Sequence, residues 1–205
     1  MAGLFVTIEG IEGSGTSTLA AALAEELKSA GREVVVTAEP GGGAVGESIR
    51  RLLLDSTDAI SAKSELLLFE AARAQHVDTV ILPALERGAV VICDRFADSS
   101  IAYQGGARGI DAATVRSLND YATSGLKPHL TILLDLPVAD GLARQQKTDR
   151  MSSEKAAFHE AVREAYLSLA EAEPDRFVVI DAGLDLDEVV RQAVHCFEAE
   201  SAHEA

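Results

Sequence analysis

Gly10, Gly13 and Gly15, followed directly by the hydroxyls of Thr16, Ser17 and Thr18, are the residues of this chain best suited to chemistry. Four residues separate Gly10 from Gly15, the spacing of loops whose backbone N–H groups wrap a phosphate chain. Glycine reaches backbone angles other residues resist, and a helix starting at Ser17 would aim its positive dipole end at the anion. The phosphate-loop pattern has lysine where this chain has Thr16. An ammonium there would reach the β- and γ-phosphates, and a hydroxyl does not supply its charge. A tight turn with no ligand has the same composition, so the loop alone leaves both readings open. Other polar candidates, Glu9, Glu39, Asp94, Arg95 and Asp135, each close an apolar run.

Those residues need elements to hold them. The apolar stretches Leu4 to Ile8, Glu33 to Thr37, Ala89 to Cys93, Leu130 to Leu134 and Phe177 to Ile180 read as five strands. Between them, helices are expected over Ser17–Ala30, Gly46–Leu54, Ser64–Arg87 (with Pro83 as a bend), Asp111–Thr123, Val138–Gln146 and Lys155–Ala172. A final helix opens at Asp185. The alternation predicts an α/β fold, a doubly wound five-stranded parallel sheet with helices on both faces, as a single domain over residues 1–205. Ligands of such sheets bind at the carboxyl ends of the strands, where the five polar candidates fall. The polar stretch 147–154 has no periodicity and reads as a mobile loop.

The 205 residues, 47% of them apolar, suffice for one core, and the net charge of −15 argues against nucleic acid or an anionic membrane as partner. Cys93 and Cys196 have no metal or redox spacing. No basic leader or long apolar window is present, so a cytoplasmic protein without a membrane span is expected.

Six short motifs, in this order, resemble the thymidylate kinase family of phosphate-loop nucleoside-monophosphate kinases. They are Phe5 to Gly15, Glu39-Pro40-Gly41-Gly42, Leu68-Phe69 through Arg73-Ala74-Gln75-His76, Asp94-Arg95-Phe96, Tyr103-Gln104-Gly105 and Asp149-Arg150. The resemblance spans nearly the whole chain. It implies phosphorylation of dTMP by ATP, with Mg2+, in a homodimer with a lid. It places Gly10, Glu12, Gly13, Ser14, Gly15, Thr16, Ser17 and Thr18 around ATP, and Ser17 and Asp94 at the metal. Arg95 is implied as the clamp between donor and acceptor, with Arg144 and Arg150 as lid cations. The acceptor site so implied comprises Phe69 against the base, Arg73 donating to it, and Ser100 and Gln104 as polar contacts. Tyr103 would stand against a ribose 2′-hydroxyl, Glu12 near the 3′-hydroxyl, Pro40 along the wall and Arg50 close to the acceptor phosphate.

Three positions depart from the family pattern: Thr16 for lysine, Ala38 for the arginine before Glu39-Pro40, and Ser152 for the lid glutamate. Two lost cations predict a slow enzyme unless lid cations such as Lys147 compensate, since this chemistry depends on positioning and charge neutralisation. The alternatives are a kinase for another deoxynucleoside monophosphate, or a nucleotide-binding module without turnover.

Overall fold

A computed structural model describes residues 3–145 and 149–203. Five strands, β1 (Phe5–Gly10), β2 (Val34–Ala38), β3 (Val90–Asp94), β4 (Leu130–Asp135) and β5 (Phe177–Asp181), form one parallel sheet in the order β2-β3-β1-β4-β5. Helix α1 (Thr16–Ser29) follows β1. Helices α2 (Ala44–Asp55), α3 (Ala62–His76) and α4 (Leu82–Glu86) lie between β2 and β3, and α5 (Ala97–Ser100) and α6 (Ala112–Thr123) between β3 and β4. Helices α7 (Val138–Arg144) and α8 (Ala156–Ala172) precede β5, and α9 (Leu186–His203) follows it.

Side chains alternate across each strand, and here both faces are covered. Val6, Ile8, Val90, Ile92 and Ile132 pack with Leu19 and Leu23 of α1 and Phe197 of α9. Phe5, Val91 and Cys93 point the other way, onto Val77, Ile81 and Phe96. Leu133 joins Tyr103, Val162, Tyr166 and Phe177 in a third cluster, at α8. The two-sided burial accounts for strands that read as unbroken apolar runs. It also leaves β1 at the centre of the sheet, so its glycine loop opens between the ends of β3 and β4.

Local chemistry sets several helix starts. Asp111 accepts from the Thr114 N–H (2.9 Å), and Asp185 from the Glu188 N–H (2.9 Å), as N-capping carboxylates do. The helix expected over Ser64–Arg87 begins earlier, at Ala62, and is divided by a π turn at Val77–Ile81. Pro83 has no N–H and its ring would crowd the carbonyl one turn back; the wider turn lets the helix pass it without breaking. The segment Ala97–Ala107, which carries no helical pattern, forms α5 and a second π turn over Ile101–Ala107. Gly106 lies so close to α8 that a Cβ there would come within 2.7 Å of the Ala165 methyl group. Its glycine reflects helix contact, not a loop.

Lys147 and Thr148 of the expected lid, and Gln146 at the expected end of α7, lie outside the described residues. Residues 149–154 form compact turns. Asp149 Oδ1 accepts from the N–H groups of Met151 (2.9 Å) and Ser152 (2.8 Å), and its own N–H donates to Ser152 Oγ (2.7 Å). No described helix is long and apolar enough to cross a membrane.

Candidate active site

The glycine loop ends at Gly15, whose φ of 97° lies in the left-handed region and which occupies the N-cap of α1. No side chain caps this helix, and its first turn contains no acid. The free N–H groups therefore face a cleft of about 960 Å³ without a capping side chain, the arrangement that suits an anion. Gly13, at φ 78°, meets α7: a Cβ there would come within 2.1 Å of the Gly141 carbonyl oxygen. Glu12, Gly13, Gly15, Thr16, Ser17 and Thr18 line the cleft, whereas Gly10 and Ser14 support it from behind.

Asp94, at the end of β3, reaches this loop. Ser17 donates to Asp94 Oδ2, and Asp94 Oδ1 is buried with no hydrogen-bond partner among the described residues. Arg95 follows with φ 67°, unusual for a residue with a side chain, and the turn aims its guanidinium back across the sheet. There Arg95 Nη1 donates to the Gly10 carbonyl and to Tyr166 Oη (3.3 Å), and its guanidinium lies 5.3 Å above the Tyr103 ring. Behind it, Glu9 accepts from the Phe96 N–H, Ser99 and Tyr166, each at 2.7 Å. Burial, reinforced by Asp98, raises the Glu9 pKa to about 7 although those donors and Arg95 favour its ionised form. The strand-end position marks Glu9 in the sequence, but nothing local marks Ser99 or Tyr166. Asp135, the other strand-end acid, is held by both nitrogens of the Arg163 fork (2.7 and 2.9 Å) and does not line this cleft.

A second cavity of about 150 Å³ adjoins the cleft and shares Glu12, Glu39, Pro40, Arg50, Arg95 and Asp149 with it. Phe69 and Arg73, one turn apart on α3, both line it, as do Tyr103 and Gln104. Arg73 is only 1% exposed. It donates to Glu39 (2.8 Å), Glu70 (2.6 Å), Ser100 (2.9 Å), Asn119 (2.8 Å) and the Phe96 carbonyl (3.1 Å). One Nη2 hydrogen remains without an acceptor among the described residues. Ser100 is not on the cavity wall: it is buried behind Arg73 and donates to Glu70 (3.0 Å), while Ser99 lines the cavity in its place. Arg50 holds the Pro40 carbonyl (2.7 Å), and Tyr103 donates to Glu12 (2.8 Å). Burial alone would raise the Glu12 pKa, but His159, Arg95 and Tyr103 outweigh it and hold it below the ordinary range.

The two arginines expected as lid cations differ. Arg144 lines the large cleft while donating to the Ala182 carbonyl (2.8 Å). Arg150 does not line either cavity. It pairs with the fully buried Glu65 (2.7 Å) and donates to the Leu53 carbonyl (2.7 Å). Glu65 also takes Gln104 (2.9 Å) and Arg108 (3.2 Å). Burial opposes its charge, but these donors bring its pKa below the usual value.

A large cleft at the glycine loop of the central strand, opening through shared charged residues into a ring-sized recess, is the layout of a phosphate-loop kinase acting on a small acceptor. Comparison with known proteins narrows the class. A family model described as thymidylate kinase matches residues 8–193. A thymidylate kinase of Desulfovibrio desulfuricans is 50% identical, with 96% of this chain and 95% of the relative covered. One of Clavibacter sepedonicus is 52% identical, covering 89% of each. The crystal structure of a thymidylate kinase from Ehrlichia chaffeensis superposes with a TM-score of 0.80 at 34% identity, over 96% of this chain and 99% of that one. The chain belongs to the thymidylate kinase family.

Proposed function

We propose that the chain transfers the γ-phosphoryl group of ATP to dTMP, giving ADP and dTDP by in-line displacement without a covalent intermediate. The observation that carries this reading is the shared wall: Arg95, Arg50 and Glu12 border both the phosphate cleft and the aromatic recess, so donor and acceptor phosphates would meet there. In this reading the N–H groups of Gly13 to Thr18 cradle the donor phosphates and the α1 dipole adds to them. Arg95 spans the transferring group, where equatorial charge accumulates. Phe69 stacks on the thymine, the free Arg73 N–H donates to a base carbonyl, and Tyr103 leaves no room for a 2′-hydroxyl. Gln104 acts through Glu65, and Ser100 through Arg73.

Ser17 and Asp94 would hold Mg2+. The fit rests on their direct contact and on the unpartnered Asp94 Oδ1. Among the described residues no cluster of three His, Cys, Asp or Glu could cage a metal, which suits an ion brought in by the nucleotide with its own waters. When bound, it would neutralise charge on the donor phosphates. The remaining parts of the reading are a lid over 147–154, a single domain, a homodimer and a cytoplasmic location.

Steady-state assays with dTMP, dUMP, dCMP and dGMP test the acceptor assignment, and turnover of dTMP well above the others is the expected result. Equal rates would overturn it. Thr16 bears on the rate itself. Arg144 is tied to the Ala182 carbonyl just past β5 and Arg150 to Glu65, so as placed neither replaces the missing ammonium beside the leaving oxygen. Thr16→Lys is accordingly expected to raise kcat by about 10²-fold, the scale of one electrostatic clamp. A parent rate within a few-fold of the variant would show that other cations compensate. Nucleotide binding without turnover in both proteins would favour a binding module instead.

A further inference from the structure

His159 lies in the first turn of α8, only 1% exposed, and its Nδ1 stands 3.0 Å from Glu12 Oε2. The two atoms are close but not aligned as a hydrogen bond, and neither ring nitrogen has another partner among the described residues. The contact is an ion pair when the imidazole is protonated. The other Glu12 oxygen is taken by Tyr103 (2.8 Å), so the carboxylate that borders both cavities is held between a phenol and an imidazole. α8 also follows directly on the turns of residues 149–154. Glu154 in those turns pairs with Arg108 (2.6 Å), whose guanidinium lies 4.5 Å over the Phe158 ring, and Phe158 meets His159 edge-on at 5.6 Å.

We propose that His159 is a positioning residue for the acceptor site: as an imidazolium it fixes the Glu12 carboxylate toward the bound nucleotide and ties that carboxylate to the lid turns. This rests on Glu12 belonging to the acceptor site. The charged and titratable groups around the pair are Glu12 from the phosphate loop, Glu154 from the lid turns, Tyr103 and Arg108 from the π turn and its end, and Arg95 from the end of β3. Glu12 first, and Glu154 after it, raise the proton affinity of His159 against its burial. With a folded pKa above the ordinary histidine value, the contact is complete below about pH 6.5 and is lost as pH rises through the raised value. Acceptor binding therefore weakens on the alkaline side.

The test is the KM for dTMP and kcat as functions of pH, in the parent and in His159→Gln, which keeps a donor but cannot become charged. Phosphate monoesters themselves titrate near pH 6, so the difference between the two proteins is the readout. In the parent, KM is expected to rise about tenfold from the acid to the alkaline plateau, the scale of one charge-assisted contact. In His159→Gln it should start near the high value and stay level, with kcat changing less than KM. A variant with the parent's KM profile, whatever its melting temperature, overturns the proposal. If the variant does not fold, histidine NMR titration of the parent decides. The His159 transition is expected to lie above the ordinary value and to shift further when dTMP binds; a transition indifferent to dTMP overturns it. Failure of the parent to bind dTMP at any pH would instead sink the acceptor assignment.

Discussion

Replacing Arg95 by alanine is expected to lower kcat by about 10³-fold or more, the scale on which phosphoryl-transfer enzymes depend on an arginine that bridges the transition state. The side chain is set in place by three independent features: a left-handed turn at φ 67°, a bond to the Gly10 carbonyl at the start of the phosphate loop, and the face of Tyr103 with the hydroxyl of Tyr166. A guanidinium held against its own backbone preference is pre-organised, so little reorganisation is needed as charge builds on the transferring group. Arg95→Lys should recover little, because an ammonium cannot address two phosphates with a planar fork. Single-turnover rates at saturating Mg-ATP and dTMP measure the effect. A loss smaller than about tenfold in Arg95→Ala would remove Arg95 from the reaction centre.

Arg73→Ala is expected to destabilise the fold by about 3–5 kcal/mol, the usual cost of removing one partner from a buried ion network. Glu39 and Glu70 both depend on this guanidinium, and each is almost wholly buried. Glu39 retains His76 at 2.9 Å, whereas Glu70 keeps only the Ser100 hydroxyl and already has one oxygen without a partner among the described residues. Adding Glu70→Gln to Arg73→Ala should therefore recover part of the loss, a coupling expected of groups in one network. Urea denaturation of the two single variants and the double variant measures it. Strict additivity, or a loss below about 1 kcal/mol for Arg73→Ala, would contradict the network. Since the same arginine borders the acceptor cavity, weakened dTMP binding in this variant has to be read together with its stability.

Much of this molecule is legible along the chain because the signals are local. Apolar runs became the five strands. Asp111 and Asp185 cap the helices they were expected to open, since a carboxylate before a helix needs only the N–H three residues on. The spacing of Gly10, Gly13 and Gly15 with Ser17 marks a glycine turn that enters a helix, and Gly15 at φ 97° is the N-cap of α1. The segment Ala97–Ala107 was not legible. Its serines, isoleucine and paired glycines have no helical pattern, and its two helical turns exist because Ala102 and Tyr103 are buried against α8 and Gly106 permits the approach. Charge pairing was equally hidden. Glu65 lies 85 residues from Arg150 in sequence, Glu12 lies 147 from His159, and Arg73 lies 27 from Ser100. Each pairing depends on which strands become neighbours and how the connecting helices cross them. The sequence by itself determined which residues could wrap a phosphate and which runs would be buried, because period and capping act within a few residues. Tertiary structure alone decided that Arg150 goes to Glu65, that Ser100 stands behind Arg73 and that His159 meets Glu12. Those contacts are set by a sheet order that no short stretch of chain encodes.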